Sequence, residues 1–80
     1  MSGIRIRLRL TPHLEEMLRE VPHRLDLVVP AGTTVRGLLQ EAGIPPLAVY
    51  TVIQGRSVLD KDDALSNDTE LTLLAPVAGG

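Results

Sequence analysis

Residues 25–46 read LDLVVPAGTTVRGLLQEAGIPP, and the character of the chain changes partway along them. Leu25-Asp26-Leu27-Val28-Val29 is an apolar strand of five residues, ended by Pro30, which cannot donate to a ladder, and Gly32. From Val35 onward the apolar positions are Val35, Leu38, Leu39 and Ala42, the stripe of a short amphipathic helix. Thr33-Thr34 offer hydroxyls to cap its start, and Gly43 stands ready to end it before Ile44-Pro45-Pro46. A strand that runs directly into a single helix fixes what its neighbours must be.

Upstream, residues 3–10 alternate strictly, with Ile4, Ile6, Leu8 and Leu10 on one side and Arg5, Arg7 and Arg9 on the other. This is the period of a strand that covers a core with one face. Between the two strands, Leu14, Met17, Leu18 and Val21 have helical spacing, but Pro12 and Pro22 bracket them and leave room for two or three turns at most. Downstream, AVYTVI at 48–53 is rich in β-branched residues and predicts a third strand closed by a tight turn at Gln54-Gly55. Ser57-Val58-Leu59 predicts a brief fourth strand and Glu70-Leu71-Thr72-Leu73-Leu74 the last, with a polar loop at 60–69 anchored by Leu65. A hairpin, a crossover helix and further strands predict an α+β two-layer fold, a mixed sheet of four to five strands with one main helix packed across it. That is the ubiquitin-like β-grasp plan. The expected division is a domain over 1–74 and a C-terminal tail over 75–80.

Composition narrows the function. With no Phe, no Trp and one Tyr among 80 residues, the core must be Leu, Val and Ile, and a base-stacking platform for nucleic acid is excluded. Residues 1–40 carry six arginines against four acids, and residues 41–80 two bases against six acids. A pI of about 5.5 with so mild a polarity predicts no nucleic-acid partner. The chain has no cysteine, so no disulfide, thiolate metal site or thiol nucleophile is available. No apolar run approaches the roughly 20 residues of a membrane span, and the alternating N-terminus is unlike a signal-peptide core. The expectation is a cytoplasmic protein with no membrane partner.

The candidate chemical motifs fail one by one. Gly32 and Gly37 frame GTTVRG, but Leu38-Leu39 follow where a phosphate loop needs Lys and Ser or Thr. Asp60, Asp62 and Asp63 begin like a calcium loop, yet Leu65 replaces its central glycine and Leu71 its final glutamate. His13 and His23 lack a third ligand at metal spacing, and no serine lies in a nucleophile elbow. No intrinsic catalytic residue and no metal site are predicted. The arginines Arg5, Arg7 and Arg9 serve either to solubilise an outer sheet face and discourage edge pairing or to bind a partner.

What remains is Ala75-Pro76-Val77-Ala78-Gly79-Gly80. Small residues, one proline and two glycines without Cβ make a strip that reaches about 20 Å when extended. It could thread a narrow channel and present a terminal carboxylate to a partner's active site, glycine adding the least bulk beside the reacting carbonyl. An apolar surface near its start, with Leu74, Pro76 and Val77 and with Arg56 as a nearby charge, is the expected docking area.

VVPAGTTVRGLLQEAGIP (28–45) and VIQGRSVLDKDDALSNDTELTLLAPVAGG (52–80), in that order, resemble the ubiquitin-like sulfur-carrier family, which includes the small subunit of molybdopterin synthase and the sulfur carrier of thiamin biosynthesis. The likeness rests on P-x-G-x-T-V leading into the helix, x-G-R after a strand, D-x-x-L in the acidic loop and the final Gly-Gly. Gln54 and Asn67-Asp68 depart from the family's usual turn residues, and Leu10-Thr11-Pro12 lack the aromatic common in the molybdopterin branch. The resemblance implies a protein substrate with no bound cofactor and no catalysis of its own. A ubiquitin-activating-type adenylyltransferase would use ATP and magnesium to adenylate Gly80, and a persulfide enzyme would supply sulfur to leave a thiocarboxylate. Gly79, Ala78, Val77 and Pro76 would form the threaded arm, and a downstream synthase subunit would take the sulfur for molybdopterin or thiamin. Two alternatives stand beside it: a ubiquitin-like modifier conjugated through Gly80, and a β-grasp interaction module whose tail is not activated.

Overall fold

The computed structural model describes residues 3–75. In chain order the elements are β1 (Gly3–Leu10), α1 (Pro12–Met17), β2 (Arg24–Pro30), α2 (Val35–Glu41), a 3-10 turn (Pro46–Ala48), β3 (Thr51–Gln54), β4 (Ser57–Leu59) and β5 (Thr69–Leu74). The strands form one five-stranded sheet in the order β2-β1-β5-β3-β4. β1 and β5 run parallel at its centre, and every other pairing is antiparallel. α2 packs Val35, Leu38 and Leu39 on one face of the sheet, where they meet Ile6, Leu8, Leu71 and Leu73 in the core. The α+β β-grasp plan expected from the element order is the plan observed.

The alternation of β1 sets the two faces: Ile4, Ile6, Leu8 and Leu10 are buried and the residues between them exposed. Burying each such side chain contributes on the order of 1.5–3 kcal/mol. α1 is a single short helix. It ends at Met17, before the apolar stripe is complete, so Leu14 is buried while Met17 stays half exposed and Leu18 and Val21 pack on the core from the turn that follows.

The ends of α2 are both closed by the chain itself. Thr34 accepts the Gly37 N–H at 3.1 Å through its hydroxyl, while Val35 N–H donates to the Asp63 carbonyl and Arg36 N–H to that of Lys61. At the other end Gly43, at φ +77°, lets the Ile44 N–H reach Leu39 O and its own N–H reach Gln40 O, the double bond of a Schellman stop.

Two expectations need correction. The third strand starts at Thr51, not at residue 48: after Pro45-Pro46 a local turn forms, with the Ala48 N–H on Pro45 O, and places Ala48 outside the ladder. The tight turn is centred on Gly55-Arg56, because Gln54 still pairs with Ser57. Positive φ at Gly55 alone matches a hairpin turn with glycine in its first central position.

Candidate functional site at the sheet face and tail root

The face of the sheet opposite α2 carries no covering element among the described residues, and register places its side chains in rows. One row is Val28 and Arg5, with the Asp68 carboxylate accepting the Arg5 backbone N–H at 2.8 Å. The next is Asp26, Arg7 and Glu70. Arg7 Nε donates to Asp26 Oδ1 at 3.1 Å, so the positive charge of this row lies between two carboxylates. The third is Arg24, Arg9, Thr72, Ile53 and Val58, followed by Leu74 beside Thr51. Val58 is 70% exposed, and Ile53 and Leu74 are half buried. These three apolar side chains on β3, β4 and β5 make the open surface nearest the end of β5.

β5 is held to its last residue from both sides. Thr11 donates to Leu73 O through its N–H at 3.2 Å and its hydroxyl at 3.0 Å, and the Tyr50 N–H donates to Leu74 O at 2.7 Å. Ala75, 9% exposed, packs on the core as the final described residue. The root from which the tail departs is therefore a fixed point at the centre of the sheet's end. Pro76, Val77, Ala78, Gly79 and Gly80 lie outside the described residues. Tyr50, 73% exposed, stands beside this root, and Leu47, 90% exposed, lies on the same segment between α2 and β3.

The expected docking residues do not all come together. Leu74 lies on the open face at the tail root, as does Arg9, one residue before the Leu10–Leu73 pair. Arg5 lies beside the start of β5, and Arg56 is on the hairpin turn next to Gln54, whose amide donates to the Thr69 hydroxyl. Thr69 and Leu74 are the two ends of β5, about 17 Å apart in an extended strand, so Arg56 lies at the end of β5 away from the tail root. Ile53, Val58 and Arg24 were not singled out in the sequence. Their signal was available for Ile53, which must face away from a buried Val52, but Arg24 and Val58 join the site only through strand register.

The rejected motifs have structural occupations. The first-turn N–H groups of α2 are taken up by Asp63, Lys61 and Thr34, so the phosphate-loop look-alike is a loop docking on a helix. Asp60 N–H bonds Asp63 Oδ2, and Asp62 pairs with Arg36 at 3.2 Å. Among the described residues no three His, Cys, Asp or Glu side chains converge as metal ligands. No described helix is long and apolar enough to cross a membrane.

This architecture is that of a ubiquitin-like β-grasp protein. No protein-family model matches the sequence, and no curated protein matches it. Solved structures do. SAMP1 from Haloferax volcanii is 22% identical with a TM-score of 0.70, covering 95% of this chain and 99% of that one. A Pyrococcus furiosus protein assigned as molybdopterin converting factor, subunit 1, is 12% identical at a TM-score of 0.67, over 92% and 99% of the two chains. Caldiarchaeum subterraneum ubiquitin is 15% identical at 0.64, over 99% and 100%. The shared property is the fold, carried over almost the full length of each chain.

Proposed function

We propose that this chain is a carrier protein worked at its C-terminus, with the Gly80 carboxylate as the reacting group. The observation that carries the reading is the tail root: a core strand anchored to its last residue, followed by the core-packed Ala75, hands over to the five residues Pro76 to Gly80 ending in Gly79-Gly80. A carboxylate is a poor electrophile, so a partner of ubiquitin-activating type supplies ATP and magnesium. A Gly80 oxygen attacks the α-phosphorus, pyrophosphate leaves, and the acyl-adenylate forms. The sulfur of a persulfide enzyme displaces AMP, and a thiol reductant then cleaves the sulfur–sulfur bond to leave the thiocarboxylate. Sulfur passes from it to a cofactor precursor on a synthase subunit, in chemistry of molybdopterin or thiamin type. The apolar surface of Ile53, Val58 and Leu74 holds the body of the protein while Val77, Ala78 and Gly79 thread, which raises the effective concentration of the carboxylate.

A second reading, a modifier joined through Gly80 to lysines of other proteins, is favoured by the likeness to Caldiarchaeum subterraneum ubiquitin and to small archaeal modifier protein 1 of H. volcanii. Intact mass of the protein purified with its adenylating partner separates the two. The carrier reading expects a fraction with one oxygen replaced by sulfur, lost when Gly80 is deleted. If sulfur never appears while conjugates survive boiling in thiol, the modifier reading takes its place.

A further inference from the structure

The four outward-facing arginines of β1 and β2 are not equivalent. Arg7 lies between Asp26 and Glu70 in register and is bonded to the first. Arg5 shares its end of the face with Asp68, and the hollow there is lined by Arg5, Arg7, Asp68, Thr69 and Glu70, cations and acids mixed. Arg9 instead stands directly opposite Arg24, with Thr72 on its other side. Neither Arg9 nor Arg24 makes an ion pair among the described residues. Like charges facing across an antiparallel pair are unfavourable, so this end of the sheet stores unneutralised positive charge. The groups around it are His23 and Glu15, whose Nδ1 and Oε1 are 4.0 Å apart, and Thr11; together with Arg9 and Arg24 they line one open hollow.

We infer that the Arg9–Arg24 pair is the electrostatic half of the docking surface, and that it receives an acidic patch on the protein that takes up the tail. Three placements support this. The pair lies at the end of the sheet where β5 finishes, it continues in one row into Thr72, Ile53 and Val58, and, of the arginines farther from the tail root, Arg7 is matched by Asp26 while Arg5 lies in a hollow that also holds Asp68 and Glu70. A partner seated over the apolar residues would bring its own carboxylates to the two free guanidiniums, which accept bidentate pairing. Nucleic acid is the weaker occupant, because the patch has two arginines and no aromatic in its row. The identity of the partner rests on the carrier-or-modifier reading; the existence of an acid-binding surface does not.

The experiment uses two double variants of equal net charge, Arg9→Gln with Arg24→Gln, and Arg5→Gln with Arg7→Gln. In the first arm the full chain is titrated at low salt with an oligoglutamate peptide and followed by amide NMR shifts. Expected are shifts centred on Arg9, Arg24 and Thr72, binding weakened roughly tenfold in the Arg9/Arg24 variant and by less than about twofold in the other. Equal weakening in both variants, shifts centred on Arg5 or elsewhere, or tighter binding of a single-stranded RNA oligonucleotide would overturn the inference. In the second arm the same variants are assayed for Gly80-dependent ATP–pyrophosphate exchange with the cell's adenylating enzyme. The Arg9/Arg24 variant should need roughly tenfold more protein for half-maximal exchange at an unchanged maximum, with a shallower salt dependence than the parent. No exchange by any form, with the first arm as expected, removes the carrier-and-modifier reading and leaves the surface standing. Should exchange occur but respond alike to both variants, the surface is not where this partner docks.

Discussion

Arg24 has a second consequence that can be measured without any partner. It faces Arg9 across the β1–β2 ladder, so Arg24→Glu converts a repulsive cross-strand pair into an attractive one. Denaturant unfolding should show a gain of about 0.5 kcal/mol, shrinking as salt is raised, while acid-surface binding is lost. A variant less stable than the parent would mean that the guanidiniums are already compensated in solution. Residue-level chemistry was only half legible in the sequence. Strict alternation showed that Arg5, Arg7 and Arg9 point away from the core, and they do. It could not show which of them is neutralised, because Asp26, Arg24 and Glu70 reach the same face from strands paired only in three dimensions.

At the level of elements, the contrast lies between α2 and the segment that follows it. Thr34, the apolar stripe and Gly43 are local signals, and each acts where the spacing placed it: cap, core face and stop. Val49 and Tyr50 carry β-forming side chains as well, but the turn begun at Pro45-Pro46 claims Ala48, and Val49 is buried outside the ladder. Strand propensity there is real but weaker than a turn already closed by hydrogen bonds. The same kind of nonlocal decision ties α1 to β5, where Thr11 donates twice to Leu73 O. Replacing Thr11 with Val keeps the N–H bond and removes the hydroxyl one, so stability should fall by about 0.5–1 kcal/mol. Hydrogen exchange at the Thr11 amide should quicken beyond the global change. Exchange that rises only in proportion to global stability would show that the end of β5 is not clamped locally.

For the molecule as a whole, the sheet order puts β5 between β1 and β3, with Leu71 and Leu73 fully buried beneath α2. Leu71→Ala should cost about 2–5 kcal/mol. Against the roughly 4–12 kcal/mol expected for a chain of this length, that is a large share, and thermal unfolding should register it plainly. A cost below about 1 kcal/mol would show that the centre of the sheet can collapse around the gap. The global plan was readable in advance because one helix between strand pairs leaves few ways to cover a sheet; the place of β5 at its centre was not, since β1–β5 pairing joins the two ends of the domain. That pairing also has a mechanical meaning. A force applied through Gly80, as when a motor protein hauls on a terminus, enters the fold along the axis of β5. Ladder bonds to β1 and β3 lie across that axis, so they share the load in shear and must fail together instead of opening one at a time. The residue that hands over chemistry is thus mounted on a strand whose extraction from the fold requires two ladders to yield at once.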